Sequence, residues 1–142
     1  MRSCRLPALW HAATVLREAR GDGHVAALLT AGVGGLDALV LRSCADLDRR
    51  VLQMARGWTH DEWEAAADRL RALGLLEGVQ LSARGTSVLQ DVEVVTDRLA
   101  EQPWTCLSPD ERTDLARLLA PLGTAAATLL PRGNPIGLPS GG

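Results

Sequence analysis

Leu75-Leu76-Glu77-Gly78-Val79-Gln80-Leu81 is the one clear interruption in a chain whose apolar residues are otherwise spaced for helices, and it constrains the fold more than any other segment. The stretch reads as two very short strands around a Glu-Gly turn. With helical spacing on both sides, the expected class is mainly α: helices, a very short two-stranded wing, then long C-terminal helices. The segments before it are bounded by caps and glycines. Pro7 suits a first helical turn, and Leu9, Trp10, Ala13 and Leu16 form a stripe expected to be buried, ending near Arg20 where Gly21 and Gly23 interrupt. Val25, Leu28 and Leu29 give a second, short helix its inner face, and Gly32, Gly34 and Gly35 stop it. Leu36–Cys44 is apolar on nearly all sides and suits a central helix. Asp46 is placed to cap Leu47–Arg56, with Gly57 as its stop.

Thr59 and Glu62 have capping-box spacing, which starts a helix over His60–Leu73 with Trp63, Ala66, Ala67, Leu70 and Leu73 inward and Gly74 at its end. Beyond the wing, Ser82 caps a long helix to about Ala100, whose Val88, Val92, Val95 and Leu99 recur at i, i+4, i+7 and i+11. Pro103 closes it. Ser108-Pro109-Asp110-Glu111 is a second capping box and opens a helix through Leu115, Leu118 and Leu119 to Pro121, followed by a weaker Ala-rich segment at 124–130. At 142 residues the expectation is a single domain over 1–130 and a Pro/Gly-rich tail over 131–142.

Composition then removes whole chemistries. All 15 basic residues are Arg, and Lys, Phe and Tyr are absent, which rules out Schiff-base or phosphate-loop lysines, tyrosine acids and Phe/Tyr platforms for single-stranded RNA. The formal charge is −2, unevenly spread: residues 1–58 hold eight Arg against five acids, 59–102 four against nine. No general basic footprint for nucleic acid follows from this; any such footprint must be local. Cys4, Cys44 and Cys106 are scattered, without a Cys-x-x-Cys pair, so neither a disulfide framework nor a zinc knuckle is expected, and a reduced, cytoplasmic setting fits. The N-terminus reads as neither signal peptide nor anchor, and no membrane span is expected. No nucleophile–base pair is recognisable, so an enzyme is the least favoured class and no cofactor is expected.

Helix, helix, helix, hairpin, long helix is the order of a winged helix-turn-helix, with Leu36–Cys44 as support, Leu47–Arg56 as the first helix of the turn and His60–Leu73 in the recognition position. Arg69-Leu70-Arg71-Ala72-Leu73-Gly74-Leu75-Leu76 followed by Leu81-Ser82-Ala83-Arg84-Gly85 resembles the multiple-antibiotic-resistance-regulator (MarR) group, which has Leu-x-x-x-Gly-Leu before a wing and Leu-Thr-x-x-Gly opening a long helix. Trp10-His11-Ala12-Ala13, Leu16-Arg17-Glu18, Arg20 to Leu28, Gly57-Trp58-Thr59, Glu62-Trp63, Thr96-Asp97-Arg98-Leu99 and Asn134 to Pro139 resemble the SalK-like helix-turn-helix family of GC-rich bacteria. That resemblance implies an additional helical N-terminal region with which this chain, corresponding to the C-terminal part, would associate.

The fold so implied suggests a transcription-regulator-like protein that contacts double-stranded DNA. Arg42, Arg49, Arg50, Arg56, Arg69, Arg71 and Arg84 are the candidate contacts. Against them, Asp61, Glu64 and Asp68 fall at i, i+3 and i+7 on the outward side of the recognition-position helix, and the wing tip is Glu77-Gly78. Those carboxylates have the wrong sign for a duplex that carries one negative charge per ~1.7 Å. The alternative is a winged helix that binds a protein, or a small-molecule or metal site near His11, Glu18, Asp22 and His24, whose imidazoles and carboxylates suit metal binding and proton transfer. A homodimer through the Ser82–Ala100 and Ser108–Leu119 helices is expected from their apolar stripes and from the resemblance.

Overall fold

The computed structural model describes residues 5–130. Cys4 and the Pro/Gly-rich segment 131–142 lie outside them. Six α-helices follow in order, α1 (Arg5–Thr30), α2 (Gly35–Ala45), α3 (Arg49–Arg56), α4 (His60–Ala72), α5 (Ala83–Glu101) and α6 (Pro109–Ala127), with β1 (Leu76–Glu77) and β2 (Gln80–Leu81) between α4 and α5. The class is as the spacing predicts: mainly α with one small antiparallel hairpin and long C-terminal helices.

The first helix differs from expectation. Gly21 and Gly23 do not divide it; α1 runs unbroken for 26 residues and turns by 95° into α2. A helical glycine costs about 1 kcal/mol relative to Ala, and here packing outweighs that cost. A Cβ on Gly23 would lie 3.1 Å from Leu99 Cβ, so the bare backbone is what lets α5 come close. His24 and Arg20 complete the seam, through Nδ1 to Thr96 Oγ1 at 3.0 Å and through an ion pair to Glu93 at 3.2 Å. The predicted stripe of Leu9, Trp10, Ala13 and Leu16 is a second correction. Trp10 is 77% exposed, Leu9 and Ala13 are exposed, and Leu16 is only half-buried; the buried residues of α1 are Gly23, Ala27 and Leu28, all near its C-terminal end.

The core gathers around α2 and α4. Leu41, Leu52, Ala66 and Leu70 are at most 1% exposed, and Trp63, Val33 and Val40 join them. The caps of α4 and α6 are those of the sequence reading. Thr59 accepts from the Glu62 amide while Glu62 accepts from the Thr59 amide at 2.9 Å and hydroxyl at 2.7 Å, and Ser108 and Glu111 repeat the box. The cap of α3 is not: Asp48, rather than Asp46, accepts from the amides of Arg50 and Val51 at 2.7 and 3.2 Å. Asp46 instead ends α2 and pairs with Arg42 at 2.7 Å. Two residues later in the chain, the same residue type gains two amide donors rather than one arginine partner.

The hairpin pairs Leu76 with Leu81 and Glu77 with Gln80 around Gly78 and Val79. Its base is fastened to the fifth helix. Ser82 Oγ donates to Gly74 O at 2.7 Å and accepts from the Gly85 amide at 2.9 Å. A Cβ on Gly85 would fall 2.1 Å from Leu75 O, so only glycine permits this approach.

Candidate nucleic-acid interface

The turn between α3 and α4 is Gly57-Trp58-Thr59. Gly57 ends α3 at φ +72°, a conformation that glycine adopts without strain, and Thr59 immediately caps α4. Trp63, Ala66, Ala67 and Leu70 face the core, which turns Asp61, Ala65, Asp68 and Ala72, at i, i+4, i+7 and i+11, directly outward. The position from which a winged helix reads base edges thus presents two carboxylates and two methyl groups. None of these is among the bidentate side chains that distinguish bases in the major groove.

Four of the seven arginine candidates are tied into ion pairs. Arg49 Nη1 donates to Glu64 Oε1 at 2.8 Å while its guanidinium lies 5.4 Å from the centroid of the Trp63 ring. Arg69 pairs with Asp37 at 2.7 Å, and that carboxylate is only 16% exposed. Arg71 pairs with Asp68, lies 4.0 Å from Glu64 and donates through Nε to Gly78 O at 2.8 Å, so it joins α4 to the wing. Arg42 is held by Asp46 and, at 3.7 Å, by Glu93. A fifth, Arg84, donates to Leu73 O at 2.8 Å. Arg50 and Arg56 are exposed and, among the described residues, enter no ion pair. The two stand on α3, with the 84% exposed Met54 between them in sequence.

Sequence reasoning missed Asp37 and Glu93. Each meets its arginine across a long separation, 32 residues for Asp37 and Arg69, and no spacing rule on one helix signals that. Glu62 and Glu111 have carboxyls held below the ordinary value of 4.5: for Glu62 chiefly by the Thr59 hydroxyl and then its amide, for Glu111 chiefly by the Ser108 amide and then its hydroxyl. Both shifts belong to helix caps.

The histidine-bearing set is not brought together. His11, Glu18 and Asp22 lie along one exposed side of α1, with Glu18 paired to Arg17, whereas His24 turns the other way toward Thr96. Among the described residues no three His, Cys, Asp or Glu side chains converge to hold a metal ion. Cys44 is half-buried beside the core and Cys106 is exposed. Among these residues, too, no single helix is long and apolar enough to cross a membrane.

A family model described as a helix-turn-helix family matches residues 3–131. No curated protein and no solved structure matches.

Proposed function

The chain belongs to a helix-turn-helix family, and on that premise we propose that it is a DNA-binding protein of the transcription-regulator type, acting in the cytoplasm as a homodimer. The observation that carries this reading is the complete assembly of α2, α3, α4 and wing, with Arg50 and Arg56 left open on the helix that precedes the recognition position. Because α4 turns Asp61 and Asp68 outward, contact is led by phosphates rather than bases, and Arg50 and Arg56 are its main donors. Arg42, Arg49, Arg69, Arg71 and Arg84 contribute only where their internal partners yield. Such binding is salt-dependent and discriminates weakly among sequences.

Fluorescence anisotropy with a random duplex and a duplex from the upstream region of the gene, each at two salt concentrations, tests it. Dissociation constants of roughly 10⁻⁴–10⁻⁶ M at physiological salt are the non-specific range, tightening as salt falls. Arg50→Ala with Arg56→Ala should weaken binding to both duplexes alike and reduce the salt slope by about two. No binding to either duplex at low salt overturns the reading. In that event the acidic outward face of α4 favours the second reading, a winged helix whose partner is a protein with a basic surface.

Support for a homodimer comes from two helices with little cover. Trp10 and Leu6 on α1 are each 77% exposed, and Leu118 and Leu122 on α6 are 66% and 55% exposed. Leu9 on α1 and Leu129 just beyond α6 are exposed as well, at 39% and 84%. The predicted contribution of α5 is revised, because its Val92 and Thr96 are already buried and α1 packs along it. Light scattering should give twice the chain mass of 15.1 kDa; a monomer overturns the dimer.

A further inference from the structure

We propose that Glu64 is an internal substitute for a DNA phosphate, holding Arg49 and, together with Asp68, Arg71 away from the duplex until an external phosphate displaces it. This rests on the DNA-binding reading above and deepens it. The carboxylate lies between two guanidinium groups from different elements, Arg49 at the start of α3 at 2.8 Å and Arg71 near the end of α4 at 4.0 Å. Arginine forks bind carboxylates and phosphates by the same charge-assisted geometry, so a group that satisfies one can be exchanged for the other.

Accessibility suits an exchange. The side chains of Arg49 and Glu64 are each 38% exposed and that of Arg71 34%, so all three can be reached from outside. Partly exposed pairs of this kind are weak individually. A cavity of about 160 Å³ borders the three side chains, together with Ser43, Trp63 and Val79, and gives the arginines room to turn. Each arginine also keeps a second anchor when Glu64 lets go. Arg49 has Gln53 Oε1 at 3.1 Å and the Trp63 ring, and Arg71 has Gly78 O at 2.8 Å and the Asp68 carboxylate. The released guanidiniums would therefore stay at the junction of α3, α4 and wing rather than swing into solvent.

The consequence is a graded mask. With Glu64 paired, this junction offers few free cations to a phosphate backbone; with Glu64 displaced, it offers Arg49, while Arg71 is still held by Asp68 and is freed only in part. Glu64→Gln keeps the shape and removes the charge. It should raise affinity for a random duplex about 5- to 10-fold at low salt and steepen the salt slope by about 0.9, the value for each phosphate gained. Asp91→Asn removes an exposed acid on α5 that does not line the cavity at Glu64 and serves as the control for net charge alone; its gain should be under about twofold, since it releases no arginine there. The gain from Glu64→Gln should vanish when Arg49→Ala and Arg71→Ala are both present. Circular dichroism and thermal melting confirm that each variant is folded, and Glu64→Ser serves if the glutamine variant is not.

The outcomes separate the two claims. If wild type binds duplex and Glu64→Gln binds no better than Asp91→Asn, the mask is wrong and the DNA reading survives. If wild type does not bind but Glu64→Gln does, the mask stands and the DNA reading fails for the resting protein. Binding by neither overturns both. A gain that persists without Arg49 and Arg71 also overturns the mask, because loss of repulsion would then explain it.

Discussion

The α4 and α6 helices are written in the same sequence language, a threonine- or serine-capped start followed by an apolar stripe, yet they meet opposite fates. In α4 the stripe Trp63, Ala66, Ala67 and Leu70 is buried within the chain, whereas α6 has no buried residue at all, and Leu118 remains 66% exposed. An amphipathic pattern specifies that a helix has an apolar side. It does not specify what covers that side. Most helical stability in proteins comes from packing of the apolar face, and here α4 finds that packing in the core while α6 buries no residue among the described ones.

Core truncation should break the comparison most severely. Leu70→Ala, at a residue 1% exposed, should cost about 2–5 kcal/mol of stability by denaturant titration, while Leu118→Ala should leave the monomer unchanged. Equal losses would show that α6 packs within its own chain. Gly85→Ala belongs with the severe cases, because the added Cβ meets backbone oxygen at 2.1 Å; an unchanged melting temperature there would refute the tight join between wing base and α5.

A second, smaller effect sharpens the comparison from the other side. Leu118→Glu with Leu122→Glu should halve the mass seen by light scattering and leave the helical circular dichroism of the body intact. Retention of the dimer would move the interface elsewhere.

Caps supply the next step down. Thr59→Ala should cost about 1 kcal/mol, whereas Ser108→Ala should chiefly fray α6 and show in hydrogen exchange of its first turn. The carboxyls of Glu62 and Glu111 are lowered in the folded chain, so each contributes stability above the ordinary carboxylate value of 4.5 and loses it as pH falls through its lower native value. A titration of melting temperature below that pH should therefore be shallower in Thr59→Ala than in wild type; an identical profile would remove Glu62 from the account. Least of all, Arg117→Ala breaks a pair whose partners are 75% and 67% exposed and should change stability by under about 0.5 kcal/mol.

Much of this molecule is legible in local residue order. The Thr59–Glu62 and Ser108–Glu111 boxes, the Gly57 and Gly74 stops, and the short hairpin before Ser82 each act over a few residues, so spacing alone reveals them. Gly21 and Gly23 mislead because the favourable contact that offsets their low propensity comes from Leu99, far along the chain. Asp46 misleads because Asp48, two residues on, competes for the same amides. The arginine candidates could be listed from the sequence, but whether each was free could not. Arg69 depends on Asp37 and Arg49 on Glu64, and those distances are set by how the helices cross.

By itself, then, the sequence determined the elements beyond α1, the caps of α4, α5 and α6, the winged order and the acidic character of the recognition-position helix, because those properties follow from neighbours within one or two helical turns. Only the tertiary structure decided that α1 is continuous and that, among the described residues, α6 buries none of its side chains fully and Arg49, Arg69 and Arg71 are held by acids while Arg50 and Arg56 enter no ion pair. Those outcomes depend on which side chains from distant segments arrive at the same place, and charge pairing and packing act on that distance rather than on separation along the chain.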